Sequence, residues 1–348
     1  MSLPKTFKAY RRSAGPGPLS VVESTESLRS DLGPHEVLIK THAVSLNFRD
    51  FMQLGGDYPF NRMDEGILAS DAAGEVIATG SSVKDFKIGD HVSPSFFTNR
   101  FTDEDLEPPS ALGGDVHGVL SQYGIFEERA LVHLPPHLSW EEGATIACAG
   151  VTAWNAIGQM KGLSEKSTVL LEGTGGVSSF ALHVLVAAGV KVIITSSSDK
   201  KIASIKKLSP LIEGINYKTH EDIAAEVKRI TNGRGVDLVV NNTGVSSVSS
   251  NIDAIAEKGS VSLVGFLGGF GESLKEGALL NLMSKQGTIR GVAVGSTSDF
   301  RKLSSFLDEK KVNLKGLIDR VFAFEDAPSA VEYLGTGQHV GKIVIKVY

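Results

Sequence analysis

A glycine-rich turn is the part of this sequence whose residues most clearly suggest a chemistry. It joins a strand-like apolar run to a helix-like segment, and its glycines allow a tight turn and close approach to a pyrophosphate. The amides at the helix start would face that negative charge. Ser178 stands where the usual fingerprint has its third glycine, and Glu172 places a charge beside the turn that the sequence does not explain. The predicted nicotinamide-cofactor turn consists of Gly173, Thr174, Gly175, Gly176 and Val177.

Hydroxyl and lysine side chains after the next strand indicate which cofactor the turn would hold. NAD-specific folds have an acidic residue at the end of the second strand, where it binds the ribose hydroxyls. Here that residue is missing, and hydroxyls followed by lysines suit the 2′-phosphate of NADPH. Ser198 or Asp199 equally fits a cap of the following helix, with the lysines on a solvated face, and both interpretations can hold together. The predicted phosphate contacts are Ser196, Ser197, Lys200 and Lys201.

The composition argues against several other classes of function. A net charge of −5 gives no reason to expect nucleic acid or an anionic membrane as a partner. The basic run 5–12 is followed by no apolar segment, so it resembles neither a signal peptide nor a membrane span. The single cysteine, Cys148, excludes an internal disulfide and a cysteine-rich zinc site. We therefore expect a cytoplasmic protein that acts on a small molecule.

Two kinds of hydrophobic pattern divide the chain into two predicted domains. Short alternating segments such as 37–43 indicate a β-rich lobe. From a predicted helix at 141–159 onward, helices alternate with strands, which is typical of a doubly wound parallel sheet. A closing strand at 341–347 is expected to return to the first lobe. The predicted domains are residues 1–149 with 296–348, and residues 150–295.

Two further segments carry structural expectations. Residues 93–118 are irregular and contain prolines and an acidic run, so they are predicted to form a long surface loop that covers a site or is a solvated insertion. Residues 287–294 end the parallel sheet and would leave an exposed edge. Pairing with a second copy across a twofold axis would satisfy that edge. We therefore expect a homodimer, with a monomer whose edge is covered as the alternative.

Several motifs, taken in order, resemble the medium-chain dehydrogenase/reductase superfamily, and the resemblance covers nearly the whole chain. It implies a GroES-like β-rich lobe, a Rossmann NADP-binding domain, an active site in the cleft between them, and hydride transfer. The motifs are SLNFRD at 45–50, SDAAG at 70–74, KIGD at 87–90, residues 148–153, the glycine-rich turn, GRGVDLVVNN at 233–242, and GK at 341–342.

The resemblance also allows the zinc site of this superfamily to be compared position by position. Zinc alcohol dehydrogenases have a cysteine where this chain has Asn47, a histidine–glutamate pair at Ser70 and Asp71, and a third ligand at Cys148. A catalytic zinc needs three nitrogen, sulfur or carboxylate ligands. Because asparagine and serine are poor zinc ligands, the chain is predicted to have no metal site. It is more similar to the zinc-independent quinone oxidoreductases and enoyl reductases.

Two residues are catalytic candidates within this branch. Tyr58 matches a tyrosine that lines the pocket of enoyl and quinone reductases, where it would donate a hydrogen bond or a proton to the reacting substrate. Asn47 would orient the nicotinamide or the substrate. Tyr58 also fits an ordinary loop tyrosine, and Asn47 an amide that ties down its own loop. Arg49 and Asp50 are interpreted as a structural pair.

The resemblance implies further cofactor contacts. Tyr217 would contact the 2′-phosphate and Thr152 the nicotinamide, although a threonine at a helix start looks the same. The enoyl reductase domains of synthases have a lysine where 264–266 reads Val-Gly-Phe, and its absence disfavours a carrier-bound substrate. The remaining predicted contacts are Asn241, Thr243, Gly265, Phe266, Leu267 and Lys342.

Together these features predict an NADPH-dependent, zinc-independent reductase of a conjugated carbonyl compound, either an α,β-unsaturated ketone or aldehyde, or a quinone. One alternative is an alcohol dehydrogenase whose metal is bound by Cys148 and Asp71. Another is an NADPH-binding sensor or structural protein with little turnover. The sequence does not identify the substrate.

Overall fold

The chain folds into two compact units. The first consists of Met1–Val151 with Val294–Tyr348, and the second of Thr152–Ala293. These limits lie two residues from the domain boundaries proposed from the sequence. The computed structural model describes residues 3–15, 18–29, 31–56, 58–269 and 273–348.

The described residues form fifteen strands and ten α-helices. The strands are β1 (Thr6–Arg12), β2 (Val21–Ser27), β3 (Glu36–Ser45), β4 (Asp71–Thr79), β5 (His91–Pro94), β6 (Tyr123–Glu127), β7 (Leu131–His133), β8 (Thr168–Leu171), β9 (Lys191–Ser196), β10 (Ile212–Asn216), β11 (Val236–Asn241), β12 (Ile255–Leu263), β13 (Thr288–Gly291), β14 (Ile318–Ala323) and β15 (Lys342–Lys346). The helices are α1 (Phe48–Gly55), α2 (Trp140–Gly143), α3 (Val151–Ala156), α4 (Gly176–Ala187), α5 (Asp199–Lys206), α6 (Ile223–Ile230), α7 (Val245–Ala254), α8 (Ala278–Ser284), α9 (Thr297–Glu309) and α10 (Ala327–Gly335). Among the described residues, no helix combines the length and apolar character needed to cross a lipid bilayer.

The first unit is built around a mixed sheet in the order β14-β15-β3-β4-β5-β7, with β6 also paired to β3; β1 and β2 form a separate antiparallel pair. From Ile39 to Ala43 buried and partly exposed side chains of β3 alternate, as the sequence pattern predicts, whereas Val37 and Leu38 are both buried. The closing strand β15 pairs antiparallel with β3, with Val344 opposite Ser45. The expected return of the chain to the first lobe is therefore confirmed, and it brings Lys342 close to the residues after β3.

The second unit contains a parallel sheet in the order β10-β9-β8-β11-β12-β13. This order confirms the predicted doubly wound fold. After Thr168, β8 is apolar, and Val169, Leu170 and Leu171 are fully buried, because helices cover both faces of such a sheet. The strand order reverses between β8 and β11. In this fold ligands bind at the carboxyl ends of the strands at that point.

The single helix predicted over 141–159 is only partly correct, because the segment is helical but interrupted. The structure has α2, a π-helical turn at Ile146–Gly150, and then α3. A side-chain oxygen of Asp71 accepts the backbone N–H of Cys148 at 2.9 Å, so this amide is drawn out of a regular helical ladder.

The surface loop predicted at 93–118 is only partly correct. Residues 102–109 are mostly exposed, but Phe96, Phe97 and Leu112 are buried. Arg12 holds this loop through hydrogen bonds. Its side chain is 1% exposed, and burial lowers the pKa of its guanidinium group to about 10. The guanidinium group of Arg12 donates to Gln53 Oε1 and to the backbone carbonyls of Met63, Gly113 and Gly114. Part of the loop is therefore packed into the first unit.

Candidate active site

The predicted glycine-rich turn lies between the end of β8 and the start of α4. Gly173 has a φ of +76°, a conformation that favours glycine. A Cβ added at Gly173 or Gly175 would meet no other atom within 4 Å, so the space beside the turn is open. Gly175 occupies the N-cap position of α4 and provides no capping side chain. The first-turn amides of Gly176 and Val177, with Thr174 buried behind them, therefore fit the pyrophosphate of a dinucleotide.

Ser178, in the place of the third glycine, connects the turn to the neighbouring strand. Its Oγ donates to the backbone carbonyl of Glu172 at 2.7 Å and accepts from Asn242 Nδ2 at 2.8 Å. The same Asn242 amide also donates to the Glu172 carbonyl at 3.3 Å. Ser178 thus links the carboxyl ends of β8 and β11. The glycine-rich turn begins at the first of these two ends.

The carboxylate of Glu172 is buried at the N-terminus of α7. Its Oε2 accepts from the backbone N–H of Thr243 and from Ser247 Oγ, both at 3.1 Å, and its Oε1 accepts from Asn251 Nδ2 at 2.7 Å. All three donors are neutral, and the helix N-terminus favours a negative charge. These contacts account for the charge that the sequence leaves unexplained, and they tie the glycine-rich turn to the loop after β11.

The other cofactor contacts predicted in this region are gathered in two adjacent loops. Asn241 Nδ2 donates to Ser247 Oγ at 2.9 Å and to Asn251 Oδ1 at 2.6 Å, so this side chain shapes the loop after β11. That loop is paired through backbone hydrogen bonds with the loop after β12. The donor–acceptor pairs are Gly265 N to Asn241 O, Leu267 N to Asn242 O, and Gly268 N to Thr243 O. The structure therefore brings Asn241, Thr243, Gly265, Phe266 and Leu267 together.

The predicted phosphate contacts meet at the carboxyl ends of β9 and β10. Tyr217 donates its backbone N–H to the carbonyl of Ser196 at 3.1 Å, and its ring is 48% exposed. Ser198 Oγ accepts from the backbone N–H of Lys201 at 3.3 Å, which confirms Ser198 as the cap of α5. Asp199 instead accepts from Asn216 Nδ2. The side chains of Ser197 and Lys200 are exposed on the same edge.

In the first unit, Lys342 begins a chain of hydrogen bonds through the residues that align with zinc ligands. Its Nζ is buried and donates to Asn47 Oδ1 at 2.5 Å and to the carbonyl of Leu46 at 2.6 Å. Asn47 Nδ2 is 3.4 Å from Ser70 Oγ, and Ser70 donates to Asp71 Oδ1 at 2.6 Å. Asp71 Oδ2 then accepts the backbone N–H of Cys148.

The pKa values of two neighbouring groups, the Cys148 thiol and the Asp50 carboxyl, are raised in this arrangement. Desolvation, with the nearby carboxylate of Asp71, raises the pKa of the Cys148 thiol to about 12. Lys342 and Arg49 oppose that shift through their positive charges. Complete burial raises the pKa of Asp50, whose Oδ2 accepts the backbone N–H of Asn47 at 2.8 Å and so helps to cap α1. Cys148 therefore remains a thiol at neutral pH.

Tyr58 lies just after α1, where its ring faces Arg49. The Arg49 guanidinium carbon is 5.8 Å from the centroid of the Tyr58 ring and 4.5 Å from that of Phe96. Burial raises the pKa of the Tyr58 hydroxyl, so it stays protonated at neutral pH. Thr152 belongs to the second unit, where it is buried in the first turn of α3.

Comparisons with known proteins agree with these features. Residues 33–136 match the alcohol dehydrogenase GroES-like domain, and residues 176–309 match the zinc-binding dehydrogenase family. The sequence is 38% identical to a zinc-type alcohol dehydrogenase-like protein of Schizosaccharomyces pombe, over 91% of this chain and 92% of that protein. The chain belongs to the medium-chain dehydrogenase/reductase superfamily. It is therefore an oxidoreductase with a GroES-like first unit and a Rossmann second unit, a fold that binds a nicotinamide cofactor.

Members of this superfamily with other names are similar over the same length. A quinone oxidoreductase of Pseudomonas aeruginosa is 30% identical, and the match covers 97% of this chain and 98% of that protein. The solved structure of a quinone oxidoreductase from Pseudomonas syringae pv. Tomato DC3000 has a TM-score of 0.76 at 26% identity. That match covers 98% of this chain and 100% of the other. The superfamily resemblance predicted from the sequence is confirmed.

The residues of the first unit do not fit the zinc ion of the zinc-dependent dehydrogenases. Within the described ranges, no three histidine, cysteine, aspartate or glutamate side chains are grouped to hold a metal. Both carboxylate oxygens of Asp71 already accept hydrogen bonds, from Ser70 and from the backbone N–H of Cys148. A metal ion would also be repelled by the Lys342 ammonium, which is bonded to Asn47.

Several residues that shape these sites were not singled out from the sequence. Asn242, Ser247 and Asn251 act through side-chain hydrogen bonds across the loop after β11. The one available signal was Glu172, since a charged residue at the end of a buried strand requires partners that the sequence alone does not identify.

We expect Glu172→Gln to loosen the loop after β11. The variant keeps the shape of the side chain but replaces one acceptor oxygen with a donor, so a buried donor loses its partner. Urea denaturation should show a loss of about 1–3 kcal/mol in the free energy of unfolding, and titration calorimetry should show weaker cofactor binding.

Glu257→Gln is a matched control, because Glu257 is exposed and lies 3.5 Å from Gln286. It should change the unfolding free energy by no more than about 0.5 kcal/mol. Equal unfolding curves for Glu172→Gln and the wild type would contradict the role assigned to the carboxylate.

Proposed function

We propose that this protein is a zinc-independent, NADPH-dependent reductase of conjugated carbonyl compounds: α,β-unsaturated ketones or aldehydes, or quinones. The observation that carries the proposal is the buried Lys342 ammonium bonded to Asn47, where zinc dehydrogenases have a metal ligand. Without a metal, the alkoxide formed from a simple ketone is poorly stabilised. A conjugated carbonyl instead yields a delocalised enolate or phenolate, which hydrogen-bond donors can stabilise.

Asn47 and Tyr58 are the proposed donors to the substrate oxygen. Because the Lys342 ammonium holds Asn47 Oδ1, the amide is oriented with its Nδ2 as the free donor. The bond from Nδ2 to Ser70 Oγ is long, at 3.4 Å, so a substrate oxygen can replace it. The raised pKa of Tyr58 keeps its hydroxyl protonated and able to donate.

The reaction proposed for this site is a two-electron reduction. The bound cofactor would supply a hydride from C4 of its nicotinamide to the β-carbon of the substrate. The electron pair of the carbon–carbon double bond then moves toward the carbonyl oxygen, to which Asn47 and Tyr58 donate hydrogen bonds. A proton from Tyr58 or from water completes the reduction at the α-carbon or at the oxygen.

The main alternative is alcohol dehydrogenase chemistry, because the Schizosaccharomyces pombe relative is described as zinc-type. It would require a metal bound through Cys148 and Asp71 and displacement of the hydrogen bonds that Asp71 now accepts. A second alternative is a cofactor-binding protein with little turnover.

A panel of enones, enals, quinones and simple aldehydes, assayed with NADPH, tests this proposal. We expect turnover of one or more conjugated substrates, no activity with simple aldehydes, and less than stoichiometric zinc by elemental analysis. Tyr58→Phe should lower kcat about 100-fold because it removes one donor to the developing oxyanion.

Tyr333→Phe serves as the control, because the Tyr333 hydroxyl is bonded to Asp319 on the surface. It should leave kcat unchanged. Stoichiometric zinc that is lost together with activity on chelation would refute the zinc-independent proposal. Cofactor binding without turnover across the panel would instead favour the sensor alternative.

The preference for NADPH rests on the edge formed by β9 and β10. The exposed groups there are the Ser197 hydroxyl, the Tyr217 ring and the Lys200 ammonium, which suit a 2′-phosphate, whereas Ser196 is buried. The nearby carboxylate, Asp199, is engaged through one oxygen, which accepts from Asn216 Nδ2. An NAD-specific site would instead present an acidic residue to the ribose hydroxyls.

The double variant Lys200→Ala/Lys201→Ala should therefore raise the KM for NADPH about tenfold or more and leave the KM for NADH unchanged, because only the former carries the 2′-phosphate. Lys206→Ala/Lys207→Ala, at the other end of α5, is a control of equal charge change. A wild type that uses NADH better than NADPH, or a variant that affects both equally, would count against the proposal.

We also propose a homodimer formed through the edge of the parallel sheet. β13 is the last strand of its sheet, and its outer edge has no neighbour among the described residues. The preceding helix α8 exposes three large apolar side chains. These are Leu279, Leu280 and Met283, which are 58%, 69% and 73% exposed. A second copy placed on this edge would pair the strand and cover the apolar surface.

Light scattering after gel filtration tests the dimer. The wild type should have twice the mass of the chain, and Leu280→Lys/Met283→Lys should be monomeric because it buries two charges in the interface. Leu208→Lys, at an exposed apolar position elsewhere in the unit, should stay dimeric. A monomeric wild type, or a dimer that survives the double change, would rule this interface out.

A further inference from the structure

Arg49 is a buried cation with hydrogen-bonding capacity that no described residue uses. Its side chain is only 8% exposed. The Nη2 group donates to the carbonyl of Leu112, whereas Nε and Nη1 have no hydrogen-bond acceptor among the described residues. A buried donor without an acceptor is costly, and more so on a charged group. The guanidinium group is therefore suited to an acceptor that arrives with a ligand.

The guanidinium group is held in place by its neighbours. Its central carbon lies 4.5 Å from the ring centroid of Phe96 and 5.8 Å from that of Tyr58. Contacts of this kind favour the cation, and the bond to Leu112 limits its rotation. Nε and Nη1, the donors without an acceptor, therefore belong to a side chain that is fixed in position beside the ring of Tyr58.

Asp50 does not neutralise this charge well. The closest approach between the two side chains is 3.8 Å, from Arg49 Nε to Asp50 Oδ1, which is too long for a hydrogen bond. The other oxygen of Asp50 accepts the backbone N–H of Asn47. Complete burial raises the pKa of Asp50 and so favours its neutral form. The structural pair expected from the sequence is therefore a weak one.

Arg49 lies close to both proposed donors. Asn47 is the N-cap of α1 and Arg49 is the second residue of that helix, so both are positioned by the same turn. Arg49 and Lys342 both act electrostatically on the Cys148 thiol, which places the two positive charges around one region of the first unit. An oxygen bonded to Asn47 would therefore lie beside the Lys342 ammonium, and one bonded to Tyr58 beside the Arg49 guanidinium.

We propose that Arg49 is a further catalytic residue, which donates through Nη1 or Nε to the carbonyl oxygen of the substrate. This inference rests on the proposed function and deepens it. As hydride adds to the β-carbon and the nicotinamide is oxidised, the electron pair of the carbon–carbon double bond moves to form an enolate. Arg49 holds the resulting O⁻ until a proton is delivered. The guanidinium group supplies the positive charge that a metal supplies in the zinc enzymes.

Steady-state kinetics with an uncharged enone and NADPH provide the first test. Arg49→Met should lower kcat about 100-fold with less than a threefold change in KM. Arg49→Lys, which keeps the charge but not the fork of donors, should retain part of the activity. Added guanidinium ion should partly restore Arg49→Met. Arg100→Met is the matched control, since the Arg100 guanidinium carbon lies 5.3 Å from the ring centroid of Phe97 and its Nε likewise has no acceptor among the described residues.

A binding measurement provides a readout that does not depend on turnover. 4-Nitrophenol mimics the enolate oxygen, and its ionisation is followed by absorbance. Bound to the wild type, it should ionise at a pH at least one unit lower than when bound to Arg49→Met. If Arg49→Met does not fold, as judged by urea denaturation, Arg49→Lys is compared in its place.

The outcomes separate this inference from the proposed function. An active wild type with an equally active, folded Arg49→Met would overturn the role of Arg49 and leave the reductase proposal standing. A wild type without turnover on any conjugated carbonyl would overturn both. Failure of 4-nitrophenol to bind the wild type, or equal ionisation in wild type and variant, would also overturn the role of Arg49.

Discussion

The bond between the Lys342 ammonium and Asn47 is the contact on which the first unit's site depends. A buried ammonium requires oxygen acceptors, and Lys342 takes one from the backbone of Leu46 and one from the Asn47 side chain. β15 pairs with β3, and this pairing brings Lys342 to a residue 295 positions earlier. Once Oδ1 is held, the amide has one orientation, and the hydrogen bonds through Ser70 and Asp71 follow from it.

The second unit also contains a buried charge that requires hydrogen-bond partners, but this charge is negative. Glu172 is buried beside the cofactor turn, and its carboxylate is satisfied by a backbone amide, a hydroxyl and a carboxamide. Because the donors are neutral and the site is buried, salt should screen these contacts little. Ser178 adds a second link between the same strands. In each unit one buried charge fixes the backbone that carries the proposed chemistry.

The distribution of charge in the first unit supports the proposed reaction without a metal. Lys342 and Arg49 contribute two positive charges, while Asp71 is engaged with Ser70 and Cys148, and burial favours the neutral form of Asp50. Arg49 keeps donors without an acceptor among the described residues on the side chain that faces the ring of Tyr58. Such an environment stabilises an oxygen that becomes negative during hydride transfer, which is the step proposed here.

The sequence by itself determined the glycine-rich turn, the alternation of strands and helices in the second unit, and the residue types at the ends of β9 and β10. These follow from local periodicity and turn chemistry, which neighbouring residues establish. The tertiary structure decided which side chains are held together. The helix predicted over 141–159 is interrupted where Asp71 accepts the backbone N–H of Cys148. Ser178 gains its role from a hydrogen bond with Asn242, 64 positions away. Arg49 likewise acquires its surroundings from the segment 96–114. Contacts of this kind depend on strand order and packing, because only the folded chain brings such distant residues within hydrogen-bonding distance.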